Sequence, residues 1–458
     1  MSREDPLKAE KDFSATLDEQ LPLLEQLPDY KEALDKYLVL EKQIRQSSDL
    51  PSSKRIIGRI VDTLVDHADW EHLEELVTSL SKKHGQMKTA IQVMIQQVIK
   101  HLSKLKDSDE KQLKQKISLI ETIRTITDKK IFVEVERAEV SRMLSDIYLA
   151  QGDLDKATEI LCDLQVETYS MMPFDTKVEY ILQQMALTLQ KHDFAQAKVL
   201  SRKILLKTLQ NFAKAEEYKA TYLRYLLQIN AYEKDYITSV KNSLLLMELP
   251  AVKDSADYKD LLISIVYTII LSPYDNYQSD LIHKIKANTV FSKNVSAKIF
   301  RLLEIFTTNE IIRWGQLEAD YSDLFSQSPM FLENDENTKN LQKRVIEHNL
   351  RIISKYYSFI ELKRVATLLQ LDVADAETHI SALVNLGMIS GKINRPQGIV
   401  KFEKHGVASS GLSANNSEDM NELLNNWVYD IDKLLEEVDS IGHLINKEEM
   451  MYGIKQKL

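Results

Sequence analysis

From Ser52 to Met172 the chain carries no proline, and all 458 residues include only 9 prolines and 11 glycines. Proline removes a backbone donor and glycine loosens the backbone, so their scarcity lets helices run on. Leu, Ile, Lys, Glu and Gln take their place, and the periodicity agrees. In "AIQVMIQQVIKHL" (90–102), Ile91, Ile95, Val98 and Leu102 fall on one helical face. The length exceeds one ordinary core and suggests two to four structural units. A mainly α protein is expected.

A faint repeat orders the first half. "GDLDKATEIL" (152–161) sets Asp153, Leu154 and small Ala157 at offsets that return in "HDFAQAKVL" (192–200) as Asp193, Phe194 and Ala197. "KDYITSVKN" (234–242) repeats them as Asp235, Tyr236 and Ser239, so the spacings are 40 and 42 residues. Asp69 and Trp70 in "ADWEHLEEL" stand 84 residues before the first match, with Leu73 at the small position. The physical reading is a helical hairpin stacked along a TPR-like solenoid. The Asp caps the second helix, the apolar neighbour packs at the elbow, and the small residue lets helices close up.

Charge and composition narrow the functional classes. Hydrophobic residues at 44% and charged residues at 28% describe a folded chain. A formal net charge of −10 has the wrong sign for embracing phosphates. The single cysteine, Cys162, cannot form an internal disulfide and suits a reducing compartment, cytoplasm or nucleus. "MSREDPLKAEKDF" lacks the apolar segment of a secretory signal. "LLISIVYTIIL" (261–271) is far short of the roughly 20 residues of a membrane span and reads as a core helix.

The character changes after residue 320. "SQSPMFLENDENTKN" (326–340) reads as a polar loop, followed by a helix through 341–357 with Ile346, Leu350, Ile353 and Tyr357 on one stripe. "IELKRVATLLQLDVADAETHISALVNLGMISGKINRPQGIVKF" (360–402) then gives helix, turn, helix and a two-strand hairpin, the order of a winged helix. Ser358 and Glu361 have capping-box spacing, Asp372 is placed to cap the second helix, and Gly387 suits its C-terminal turn. "MISGKI" and "IVKF" pair across "NRPQG".

Winged helices commonly read DNA. Here Ile380, Leu383 and Val384 face the core, which leaves Glu377, His379, Ser381 and Asn385 for a groove. Asp372–Ser390 contains no Lys or Arg and three acidic residues, so phosphates would be repelled. Lys392, Arg395 and Lys401 on the wing are the local support for nucleic acid. The alternative is an edge strand offered to a neighbouring sheet. The candidate interaction residues of this hairpin are Ile393, Ile399, Val400 and Phe402.

"EKHGVASSGLSANNSEDM" (403–420) has a linker composition. In the tail, Leu424, Trp427, Ile431, Leu434, Val438, Ile441 and Ile445 are spaced 3, 4, 3, 4, 3, 4, a coiled-coil seam. Leu423, Leu435 and Leu444 widen it toward a bundle of several helices. Folding back onto the solenoid is the alternative.

No phosphate loop, no G-x-S-x-G and no H-E-x-x-H occurs, so no enzyme class, metal or cofactor is indicated. His67 and His72 are five apart, which is not a metal-pair spacing, and read as surface histidines. Cys162 reads as a buried thiol, and His348 as a structural hydrogen-bonder between helices.

A helical solenoid running into a winged helix resembles the PCI-domain family, scaffold subunits of the proteasome lid, the cullin-deneddylating signalosome and translation initiation factor 3. "KIFVEVERAEV" (130–140), "ILCDLQVETY" (160–169), "FTTNEIIRW" (306–314), "LQKRVIEHNLRIISKYYS" (341–358), "NRPQGIVKFE" (394–403) and "IGHLINKEEM" (441–450) are most similar to the lid branch. The resemblance implies a solenoid over 1–225, the helical part of a PCI domain over 226–340 and its winged helix over 341–403. A linker over 404–420 and an assembly helix over 421–458 complete the expected plan. It further implies a non-catalytic scaffold in a hetero-oligomer that serves ubiquitin-dependent degradation. Its neighbours would be other PCI-domain lid subunits, the lid metalloprotease subunit, the ATPase ring and the core particle, with no nucleic acid and no membrane. Sequence physics alone leaves the signalosome open.

Overall fold

The computed structural model describes residues 13–25, 30–102, 105, 109–209, 214–253, 255, 257–332, 335–402 and 416–455. Helices dominate, and the chain forms two compact units that divide between Tyr225 and Leu226. Among the described residues, no helix is long and apolar enough to cross a membrane.

One turn recurs at the elbows where the repeat was read. Ala68, Gly152, His192 and Lys234 each take a left-handed conformation, with φ of 55°, 86°, 63° and 60°. The following Asp N–H reaches back five residues: Asp69 to Leu64 O at 3.1 Å, Asp153 to Tyr148 O at 2.9 Å, Asp193 to Thr188 O at 2.9 Å and Asp235 to Asn230 O at 3.1 Å. This is a Schellman closure of the preceding helix. The same Asp then opens the next helix. Asp69, Asp193 and Asp235 accept from the backbone N–H of His72, Gln196 and Thr238 at 3.3, 3.1 and 3.2 Å. Asp153 makes no such cap and pairs with Lys156 at 3.0 Å. Ala157, Ala197 and Leu73 are buried as the repeat requires, while Ser239 is half-buried. Trp70 and Tyr236 pack against their cores, but Leu154 stays exposed.

The core of the first unit forms where apolar stripes meet. Ile91, Ile95, Val98 and Leu102 on Lys88–Leu102 lie buried with Ile56, Ile57 and Ile60 of Leu50–Asp66. In the second unit the expected core helix is Tyr258–Leu271, with Leu262, Ile265, Val266, Ile269, Ile270 and Leu271 buried.

The polar-loop expectation for 326–340 gives way to helix: Pro329–Leu332, then Asp335–Tyr356. Asn337 Nδ2 donates to Met330 O at 2.7 Å, and Glu336 pairs with Lys234 at 2.6 Å. These contacts, distant in sequence for Lys234, draw a polar segment into helical form. Most of the 403–420 linker lies outside the described residues. Its last residues belong to the C-terminal helix, Asn416–Lys455.

Candidate interaction surfaces

The winged helix assembles from three strands and two helices. β1 (Phe359–Glu361) precedes the helices Leu362–Leu369 and Val373–Asn385; β2 (Gly391–Asn394) and β3 (Ile399–Phe402) form the wing. The reading of Ser358 and Glu361 as a capping box is corrected: Ser358 stands just before β1, and Glu361 ends that strand and caps the helix without a side-chain hydrogen bond. Strand formation uses the backbone at this point, because Phe402 N donates to Ser358 O at 2.9 Å and Leu362 N donates to Gly398 O at 2.8 Å. Between the helices Gln370 is left-handed at φ 58°, and Asp372 stands at the N-cap without a side-chain bond. Gly387 closes the second helix at φ 73°, a conformation that favours glycine.

The sheet order is β1-β3-β2, both pairs antiparallel. β3 is therefore central and not an edge. Val400 at 0% exposure and Phe402 at 4% are sealed in the module's own core with Ile380, Leu383 and Ile389. Ile399 and Ile393 are half-buried. An antiparallel strand turns alternate residues to opposite neighbours. Phe402 and Gly398 bond toward β1, so Ile399 and Lys401 turn toward β2, and Ile393, opposite Val400, turns its backbone outward. The open flank of the hairpin is β2, and it carries Ile393.

The face that meets DNA in other winged helices is poorly equipped here. Arg395, a wing cation, forms an ion pair with Glu377 of the second helix at 2.5 Å. Lys401 lies over the Phe359 ring, 5.6 Å from its centroid.

The C-terminal helix behaves in the opposite way to the wing. Trp427 is 63% exposed and Leu434 61%, and Leu424, Ile431, Val438, Ile441 and Ile445 are all exposed. Leu435 and Leu444 are exposed beside them; the side chain of Leu423 lies outside the described residues. Half-buried Tyr429 and Gly442 lie off the seam, and Glu436 is 3.9 Å from Lys284 of the helix Asn276–Ala287. That contact does not cover the seam.

The remaining candidates have local explanations. His67 stacks on Tyr30 with centroids 4.5 Å apart, and its Nδ1 approaches Thr63 O at 2.9 Å. Cys162 is half-buried, and burial pushes its thiol up to about 11, far from a reactive thiolate. His348 is buried, its Nε2 3.2 Å from Glu310 O. Burial, then the nearby Arg351 charge, pushes its pKa down to about 4. Next to it, Asn349 clamps one residue of the loop after Ala297–Thr307, accepting from Ile312 N at 2.8 Å and donating to Ile312 O at 2.7 Å. Sequence reading missed Asn349. A polar residue beside an apolar stripe was the available signal.

Comparison with known proteins accounts for nearly all of the chain. A family profile described as PSMD12/CSN4, N-terminal, matches residues 32–255. One described as PCI domain matches 319–404, and one described as 26S proteasome regulatory subunit RPN5 C-terminal domain matches 421–453. The chain is 45% identical over 463 aligned residues to 26S proteasome regulatory subunit RPN5 of Saccharomyces cerevisiae, covering 100% of both. It is 35% identical to 26S proteasome regulatory subunit rpn501 of Schizosaccharomyces pombe, covering 98% of each. Against 26S proteasome non-ATPase regulatory subunit 12 of Dictyostelium discoideum it is 34% identical, covering 92% of this chain and 90% of that one.

Proposed function

Since this chain belongs to the PCI-domain family of 26S proteasome regulatory subunits that includes RPN5 and non-ATPase regulatory subunit 12, we propose that it is a non-catalytic scaffold of the regulatory-particle lid. Other PCI-domain subunits and the lid metalloprotease subunit are the proposed neighbours, with the ATPase ring and core particle further out. Degradation of ubiquitin-marked proteins in cytoplasm and nucleus is the process served. In this reading 1–225 is the solenoid arm, 226–340 and 341–403 make up the PCI module, and the C-terminal helix joins a bundle.

The observation that carries the reading is the C-terminal helix, with its unburied seam on a segment matched by the RPN5 C-terminal profile. Seven such side chains contribute on the order of 10–20 kcal/mol when buried, before association and ordering costs. A helix of this kind has its stable state inside an assembly. Leu424, Trp427, Ile431, Leu434, Val438, Ile441 and Ile445 are the proposed contacts, and Ile393 with Ile399 the proposed wing contacts. Val400 and Phe402 contribute by holding the hairpin rigid.

The signalosome reading draws on the N-terminal profile, whose description names both PSMD12 and CSN4. Full-length similarity to proteasome subunits and the C-terminal match favour the proteasome. Mass spectrometry of what co-purifies with a tagged copy decides the matter. Regulatory-particle subunits in fixed ratio are expected; recovery with signalosome subunits alone would sink the proposal.

A further inference from the structure

The helices Asn276–Ala287, Ala297–Thr307 and Asp335–Tyr356 contribute to an open polar cleft of about 600 Å3. Its wall carries four cations, Lys286, Arg344, Arg351 and Lys355, against two carboxylates, Glu310 and Glu347. In a chain of net charge −10, this is a local reversal of sign.

Neutral groups contact three of these cations. The Arg351 guanidinium lies over the Tyr274 ring, 3.5 Å from its centroid, and its Nη2 donates to His348 Nδ1 at 3.1 Å. Arginine cannot accept a hydrogen bond, so Nδ1 must, and the imidazole proton sits on Nε2, donated to Glu310 O. The histidine is thus neutral and adds no charge of its own. Lys286 Nζ donates to the Thr307 hydroxyl at 3.2 Å, and Lys355 Nζ to Asn309 Oδ1 at 3.0 Å. Arg344 pairs with the Glu347 carboxylate at 2.5 Å. Its Nε is buried and meets no acceptor among the described residues.

A guanidinium stacked on a ring is stiff and presents its donors edge-on, a fork that fits a carboxylate. We propose that this cleft receives an acidic segment of a neighbouring subunit, holding two of its carboxylates with Arg351, Lys286 and Lys355. The inference rests on the scaffold reading above. Two cations in excess match a pair of carboxylates, whereas a polyphosphate carries more charge than the wall can balance. Glu310, exposed on the wall, would also repel an extended nucleic-acid backbone.

Zero-length carbodiimide coupling tests this, because it joins an amine to a carboxylate within ion-pair reach. In the purified complex containing the full chain, Lys286 or Lys355 should become joined to an Asp or Glu of another subunit. Lys286→Arg with Lys355→Arg should abolish that link, because a guanidinium does not couple to an activated carboxylate. Arg351→Gln should lower incorporation roughly tenfold with the melting temperature of the free chain retained. The inference is overturned if other intersubunit links form while these lysines stay unlinked, or link only to Glu310 and Glu347. It is equally overturned if inorganic pyrophosphate shields both lysines of the free chain from acetylation and assembly does not. A chain that joins no complex defeats the scaffold reading and this inference together. One that joins with an unlinked cleft defeats the inference alone.

Discussion

The winged helix and the C-terminal helix contain similar side chains and use them in opposite ways. Ile380, Val400 and Phe402 are buried together inside the module, while Ile431, Leu434 and Ile441 stand exposed along the C-terminal helix. Hydrophobic burial is roughly proportional to the area removed from water, wherever that water is displaced. The module gains that stabilisation within its own fold. On the proposed scaffold reading the tail gains it on meeting partners. A single chain would thereby separate the residues that make it fold from those that make it assemble.

The sharpest way to break this comparison is to remove the tail. Deleting 421–458 should leave a soluble chain whose melting temperature stays close to that of the full chain, yet which no longer enters the complex. Co-purification and thermal melting check the two halves. Normal incorporation, or failure of the truncated chain to fold, would mean that folding and assembly residues are not separated here.

The next largest effect reverses the roles. Val400→Asp places a charge at a site with 0% exposure and should destabilise the second unit by about 3–5 kcal/mol in urea melts. Leu434→Asp, at 61% exposure, should stay within about 0.5 kcal/mol of the original chain in the same melts. Similar losses for both would erase the distinction.

Acid should find the module's side of the comparison. His348 ionises near 6.5 when unfolded but only at about 4 in the fold, where burial and then Arg351 oppose its charge. The unfolded state therefore binds the extra proton between these values. The contribution is full above about pH 6.5 and is lost as pH falls toward 4, on the order of 3 kcal/mol. His348→Gln should flatten that slope in urea melts between pH 7 and 4.5, and deleting 421–458 should leave it unchanged.

How much of this was legible depended on sequence distance. The elbows were readable because Asp193 and Asp235 close one helix and open the next within a few residues. The tail's apolar stripe was readable because heptads are local, and the second short helix because Asp372 and Gly387 mark its ends. β1 was not readable: three residues pair with β3 some forty positions on, and the register, not local preference, decides their conformation. The helix at 335–340 escaped for a similar reason, since Lys234 and Met330 help to hold it. The cleft was invisible because Lys286, Arg351 and Tyr274 come from separate segments, and each alone reads as an ordinary surface residue.

A milder change sharpens the comparison on the tail's side. Trp427→Ala with Leu434→Ala removes two of the seven seam side chains and should reduce incorporation severalfold. The free chain's stability should change by less than about 0.5 kcal/mol. Competition between the variant and the original chain for the same complex measures the first, and urea melts the second.

The smallest expected effect asks whether the winged helix adds anything to assembly beyond its own rigidity. A proline at Ile399 or Lys401 would not answer this, because both turn into the β2–β3 ladder and the substitution would break the module itself. Ile393 turns its N–H away from β3, so Ile393→Pro removes an outward donor and leaves the internal ladder whole. The free chain should melt within about 1 kcal/mol of the original, the loss coming from the half-buried Ile393 side chain. If a neighbouring strand adds to β2, incorporation should fall about two- to fivefold, beyond what Ile393→Ala produces through the same lost packing. Equal incorporation of the proline and alanine variants would show that the edge stays unpaired, and the tail would then be the chief apolar contact of this half of the chain.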